Sequence, residues 1–327
     1  MKKLRLPIAA VVFIAFIVTT AGFTNHQSSA VRSEGQPKRA NCQRATGERA
    51  RVTAYISPKS SRQFRSLARY RLANGCPAIS VAVIFAANYA ADERPYLRAN
   101  NDNPPTTKPF NDSIQQVLDD GSVKYLQRRG IKVLLSITNG HQPVGWSQFT
   151  SRREALDFAR YLKKSVVARY GLDGIDIDDE YSSGTPNGTS LIMVTTLMRK
   201  LMPSKIITKA LFDDKKYFRA SWKGHRLAEN LDYGWEMSYG APPRPRVAPY
   251  TRWLTKKQLS VGFWSGDPSR TPIEDVQWLR SQGYAGVMVY GFEDPSGVKL
   301  LGNLVDAWYG PRNWERAGYA LALNAFG

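Results

Sequence analysis

From Arg51 onward the chain alternates short, almost wholly apolar runs with longer stretches of helical periodicity. The apolar runs are Val52–Ile56, Ile79–Phe85, Ile131–Ile137, Gly174–Ile177, Ile206–Leu211, Leu231–Tyr239, Leu259–Trp264 and Gly286–Tyr290. Runs of this length, with few polar breaks, suit strands buried on both faces of a parallel sheet. Helical signals lie between them. Ser151 and Glu154 form an S-x-x-E capping box, followed at helical spacing by Leu156, Ala159, Leu162, Val166 and Tyr170. Thr271-Pro272-Ile273-Glu274 predicts another start, with Pro272 at the first helical position. Leu191, Val194, Met198 and Leu201 mark a helix that Pro203 stops, and Ser296 opens a last one through Leu300, Leu301, Leu304 and Trp308. Eight strands alternating with helices over residues 51–310 predict an α/β fold, a single-domain (β/α)8 TIM barrel. A doubly wound open sheet is the rival architecture. It lacks support, because no glycine-rich phosphate loop follows the first strand.

The flanks break the pattern. Lys2, Lys3 and Arg5 precede Ile8 to Phe23, sixteen residues without a charge, and small residues follow at Ser28 and Ala30. This arrangement predicts a signal peptide over residues 1–30, cleaved before Val31, with Ala21 offering an earlier site. An uncleaved anchor is the alternative, but about 20 apolar residues are needed to span a bilayer. Residues 31–50 are polar and basic without periodicity, a flexible extension, and residues 311–327 are an appendage outside the barrel. The expected location is therefore secreted or periplasmic, with no integral span after cleavage.

Composition adds a constraint and removes some chemistries. Apolar content is 43% and charged content 22%, enough for a full core. The formal net charge is +19, and residues 1–30 hold three Lys/Arg and no acids, so the mature chain would carry +16. Such a field attracts anionic polymers. The basic residues are nevertheless spread thinly, without an arginine-rich tract or a nucleic-acid module, so a solvated basic surface is expected and no nucleic-acid partner. Two cysteines and three histidines exclude a Cys/His zinc site of ordinary spacing. Cys42 and Cys76 are candidates for one disulfide tying the N-terminal extension to the domain.

The stretch Asp173-Gly174-Ile175-Asp176-Ile177-Asp178-Asp179-Glu180 carries the chemistry. Strand side chains alternate faces, so Asp176, Asp178 and Glu180 point one way and Ile175 and Ile177 the other. Three carboxylates on one inward face, at the C-terminal end of a barrel strand, cannot all ionise cheaply; at least one is held protonated or shares a proton. A carboxyl kept protonated near neutrality is what a general acid requires. Asp173 stands outside this alternation and reads as a structural residue. A calcium loop is the alternative, but the spacing of an EF-hand is missing.

These residues reproduce the D-x-x-D-x-D-x-E motif, and the chain resembles glycoside hydrolase family 18. Lys132-Val133-Leu134-Leu135-Ser136 is similar to the family's third strand, Met237-Ser238-Tyr239 to its sixth, and Gly286-Val287-Met288-Val289-Tyr290 to its eighth. Within the family, residues 50–310 most resemble endo-β-N-acetylglucosaminidases of the endoglycosidase H type. The runs Val81 to Asn88, Gly130 to Ser136 and Tyr170 to Tyr181 carry that likeness, with His141-Gln142 and Tyr290. The loop after Glu180, the Phe212-Asp213-Asp214 stretch and Trp235-Glu236-Met237 depart from the group, so glycan preference is not carried over.

The resemblance implies substrate-assisted retaining catalysis, outside the usual carboxylate-separation rule. Glu180 would be the general acid and later the base. Asp178 would orient the 2-acetamido group of the cleaved sugar, Tyr239 would donate its hydroxyl to that group, and Asp176 would support Asp178. Tyr290 would floor the reacting sugar, while Trp235, Trp146, Phe292 and His141 are candidate sugar contacts. No metal or organic cofactor is implied, and a monomer is expected. The implied substrate is the di-N-acetylchitobiose core of N-linked glycans. A chitinase acting on chitooligosaccharide is the alternative within the mechanism. A non-catalytic carbohydrate-binding barrel is the alternative outside it, although such relatives typically lack the acid Glu.

Overall fold

In the computed structural model, residues 42, 51–90, 96–99, 108–139, 145–180, 184–267 and 272–311 are described. The predicted signal peptide, most of the expected extension over residues 31–50, His141, Thr271 and residues 312–327 lie outside the described residues. Among the described residues nine strands form, β1 (Val52–Ile56), β2 (Val81–Tyr89), β3 (Leu97–Ala99), β4 (Lys132–Thr138), β5 (Gly174–Ile177), β6 (Ile206–Leu211), β7 (Tyr233–Glu236), β8 (Leu259–Trp264) and β9 (Gly286–Tyr290). All but β3 pair in parallel, and β1 pairs with both β2 and β9, which closes an eight-stranded barrel. The predicted (β/α)8 TIM barrel is the observed fold. β3 pairs antiparallel with the end of β2; it is too short and mixed in polarity to have been visible as a strand.

Two apolar layers result. Tyr55, Val83, Leu134, Ala210, Trp235 and Met288 fill the barrel interior, whereas Ile84, Leu135, Ile177, Leu211 and Val261 face the helices in a much larger outer layer. Strands buried on both faces explain why the predicted runs lack alternation. Gly174 is required at the start of β5. A Cβ there would lie 1.9 Å from the carbonyl oxygen of Ile206, so only glycine allows β5 and β6 to approach this closely.

Local chemistry shifts several boundaries. The Ser151 hydroxyl accepts the Glu154 amide at 3.2 Å, as predicted, but Glu154 takes the Thr150 hydroxyl instead of closing a reciprocal box. The last helix, Pro295–Tyr309, begins before Ser296 because Asp294 is its cap and accepts the Gly297 amide at 2.9 Å. Likewise Pro272 is the cap of Ile273–Ser281 and not its first residue. β7 is shorter than the run Leu231–Tyr239: Glu236 Oε1 takes the Ser238 amide (3.1 Å) and hydroxyl (2.5 Å) and turns the chain off the sheet. In β2 the register against β4 shifts between Ile84 and Ala87, a bulge that contains Phe85.

Cys42 and Cys76 are bonded, with Cα atoms 5.2 Å apart. Closing a loop of this length removes roughly 4 kcal/mol of unfolded-chain freedom in the loop-entropy account. Among the described residues no helix is long and apolar enough to cross a membrane.

Candidate active site

The two ends of β5 hold its acids in different ways. Asp173, just before the strand, is fully engaged. Its carboxylate accepts the Val133 amide (3.0 Å) and Gln127 Nε2 (2.8 Å), and pairs with Lys132 Nζ at 2.9 Å. Its own amide donates to the Val133 carbonyl at 2.9 Å. Asp173 therefore clasps β5 to β4 at the N-terminal end of the barrel, far along the strand from the inward row. Asp232 repeats the device, taking the Ile207 amide at 2.8 Å and Arg199 at 2.6 Å.

Asp176, the first of the inward row, is completely buried. It accepts Thr208 Oγ1 at 2.5 Å, Ser136 Oγ at 2.8 Å and Trp235 Nε1 at 3.0 Å. Burial raises its pKa above the ordinary carboxylate range, and these donors hold the rise back.

Asp178 is 6% exposed, and its Oδ1 is buried without a hydrogen-bond partner. Burial, then the negative charges of Glu180 and Asp176, push its carboxyl well above the usual range. Both causes favour the neutral form of Asp178. Glu180 follows two residues on and is partly open to solvent.

Aromatic hydroxyls complete the mouth. Burial and then Asp178 raise the Tyr239 hydroxyl well above its ordinary value, so it stays a neutral donor. The Tyr239 ring stacks on Tyr290 at 6.1 Å and 15°, and Tyr290 meets the Phe85 edge at 5.3 Å. Tyr55 faces the same carboxylates, which together with burial keep its hydroxyl protonated. Asp178, Glu180, Tyr239 and Tyr290 are therefore brought together at the C-terminal end of the barrel, with Asp176 beneath them.

Three predicted sugar contacts are corrected. Trp235 is wholly buried, stacked on Tyr233 and bonded to Asp176. Trp146 is equally buried and donates to the Ile137 carbonyl at 2.8 Å. Phe292 packs edge-on against Tyr70 beneath the surface. None of the three presents a face to a sugar.

Other site residues escaped the sequence reading. Phe85 and Tyr55 lacked a motif. Glu236, which releases Tyr239 from the strand, is bound by Arg246, whose Nη2 also donates to the carbonyls of Glu236 (2.9 Å) and Gly262 (3.1 Å). On the outer face of β6, Lys209 Nζ contacts Asp214 at 2.9 Å and is 1% exposed. Burial pulls its pKa down, but Asp214 and Asp179 outweigh that and keep the ammonium charged. Asp179 is itself held by Asn139 at 2.8 Å and Ser147 at 3.2 Å.

A closed parallel barrel carrying an inward row of carboxylates at its C-terminal mouth defines a glycoside hydrolase of the TIM-barrel class. The family model for the endo-β-N-acetylglucosaminidase EndoS TIM-barrel domain matches residues 100–267. An endo-β-N-acetylglucosaminidase from Flavobacterium sp. (strain SK1022) is 32% identical over 268 residues, covering 79% of this chain and 80% of that protein. Endo-β-N-acetylglucosaminidase F1 of Elizabethkingia meningoseptica is 26% identical over 239 residues, and the match spans 65% of its length. EndoBT-3987 of Bacteroides thetaiotaomicron, solved with a Man9GlcNAc2Asn substrate, shares the fold with a TM-score of 0.62 at 22% identity, over 82% of this chain and 67% of that one. The chain belongs to the endo-β-N-acetylglucosaminidases of glycoside hydrolase family 18.

Proposed function

We propose that the protein hydrolyses the β-1,4 bond within the di-N-acetylchitobiose core of N-linked glycans, by substrate-assisted catalysis with retention. The observation that carries this reading is the buried, unpartnered Oδ1 of Asp178 at a mouth where the Tyr239 hydroxyl also feels the Asp178 charge. An acceptor and a donor at one mouth match the N–H and C=O of one acetamido group. Asp178 takes the N–H and aligns the group, and Tyr239 donates to its oxygen as that oxygen attacks the anomeric carbon. Glu180 gives its proton to the departing oxygen and then removes one from water, which opens the oxazolinium intermediate. Asp176, pinned by its three donors, fixes the strand beneath Asp178 and discourages Asp178 from ionising. Positive charge developing at the reacting sugar is stabilised by the row itself. Tyr290 lies under that sugar.

Mass analysis after treating a high-mannose glycoprotein tests the reading. The expected products are a free glycan and a protein retaining one N-acetylglucosamine; turnover confined to chitin oligomers would sink it.

The protein acts as an exported monomer in this reading. The basic and apolar N-terminal pattern supports export, and the Cys42–Cys76 bond fits an oxidising compartment. N-terminal sequencing of protein recovered from the medium or periplasm is expected to begin at Val31 or just after Ala21. Recovery of intact Met1 in the membrane fraction would reject it. A monomer supplies the whole catalytic row from one chain, and sedimentation at assay concentration checks this.

A further inference from the structure

A groove leaves the catalytic mouth on one side and ends among cations. Its first part, about 470 Å³, is bounded by Tyr239, Trp264 and Phe212. A second depression of about 260 Å³ shares Phe212 and Ser238 with the first and continues past Pro245 and Pro249. A third, about 390 Å³, shares Lys215, Pro245 and Pro249 with the second and opens onto Arg219, Arg252 and Trp253. Each depression shares lining residues with the next, so the three lie in a row.

The lining has a definite chemistry. Phe212 and Trp264 are the two exposed large aromatic side chains among the described residues, at 60% and 44%. Phe212 is presented outward because the chain turns at Asp213 with φ 50°, and its amide is tied to Asp214 Oδ2 at 2.8 Å. Trp253 is braced from behind by Phe218, stacked at 5.6 Å. Flat aromatic and proline faces suit the apolar faces of pyranose rings. At the far end the charge is uneven. Lys215 is partly neutralised by Asp213 at 3.2 Å, but no acidic side chain among the described residues pairs with Arg219 or Arg252. Both guanidinium groups are exposed and free to form bidentate bonds with an oxyanion.

We infer that this groove is an extended subsite for a glycan branch ending in an acidic sugar, one bearing a carboxylate or a phosphate. The inference rests on the proposed function, since the groove starts where the reacting sugar sits. Arg219 and Arg252 hold the oxyanion, and Phe212, Trp264 and Trp253 carry the intervening rings. A neutral branch occupies the same path without the charge contact. The groove thereby sets a preference among substrates and leaves the chemical step alone.

The test uses the full-length protein and three glycopeptides sharing one peptide, with a neutral glycan, a sialic-acid-capped glycan and a phosphorylated glycan. Wild-type enzyme at low salt is expected to favour one or both acidic glycans by about tenfold in kcat/KM, and which one responds identifies the oxyanion. Arg219→Gln with Arg252→Gln is expected to bring that ratio to within about twofold of unity, with the neutral glycan cleaved as before. The absence of any acidic preference, or a preference that survives the double substitution, overturns the inference. So does a preference that follows acidic residues added to the peptide instead of the sugar. If no glycopeptide is cleaved, the proposed function fails by itself, and the same ratio is read from calorimetric binding of the three free glycans. Equal affinities there reject the groove as well.

Discussion

One strand, β5, holds an aspartate at each end, and the two live by opposite rules. Asp173 has a charged donor on one oxygen and two neutral donors on the other, on a barrel end that does no chemistry. Asp178 is more deeply buried, faces other carboxylates, and leaves one oxygen without any partner. The first carboxylate stabilises the fold. The second costs stability, because a buried acceptor without a donor and a charge near like charges both oppose folding. A barrel separates these tasks by end, with stability assigned to the N-terminal side and reactivity to the C-terminal side.

The sharpest way to separate the two ends is to remove the acid above Asp178. Glu180→Gln is expected to lower kcat by about 10²–10⁴-fold without lowering the melting temperature, since it deletes a proton donor and relieves a charge that bears on Asp178. Equal turnover would remove Glu180 from the mechanism. Asp178→Asn is expected to cost roughly 10²-fold in kcat while raising the melting temperature near neutral pH. The sign follows from its raised pKa in the folded state. The folded protein retains a proton that the unfolded chain releases near pH 3.9. The contribution of Asp178 to stability is therefore greatest below that pH and falls as pH rises toward the folded value. The amide has nothing to ionise and flattens this decline; a melting profile across pH 4–8 as steep as that of wild type would contradict it. Asp173→Asn is the mirror case, expected to lose about 1–3 kcal/mol of stability by denaturant melts with kcat hardly altered. A large fall in kcat without a loss of stability would erase the contrast between the ends. A smaller loss of turnover than at either acid is expected for Tyr239→Phe, roughly tenfold in kcat, with ring stacking on Tyr290 preserved. A loss confined to KM would place its hydroxyl outside the reacting group.

The acidic row and the barrel were legible because both are written locally. Alternation along one strand is enough to put Asp176, Asp178 and Glu180 on one face, and apolar runs are enough to count eight strands. Asp173 was legible too, by falling outside the alternation. The aromatics were not. Trp235 sits at a strand end like Tyr290, yet its indole N–H is consumed by Asp176, a partner 59 residues away. Nothing in the local pattern distinguishes a tryptophan that presents its face from one that spends its N–H inward. The Glu236–Arg246 clamp and the buried Lys209 were hidden for the same reason. Each is a charge whose burial makes sense only once the segment following its strand is seen to fold its partner back onto it.

The paired clasps at Asp173 and Asp232 have a consequence for how the barrel avoids misassembly. A strand that slips by one residue turns its apolar side chains to the wrong face and is rejected by burial alone. A slip of two residues keeps every side chain on its proper face, so hydrophobicity cannot detect the error. The carboxylates can, because each must find one particular amide, Val133 for Asp173 and Ile207 for Asp232, together with one particular cation. They act as a ruler for β4–β5 and for β6–β7, graduated in steps that packing cannot read. Without it, the acids at the far end of β5 would stand two residues out of line with Tyr239, in a barrel that looked correctly filled.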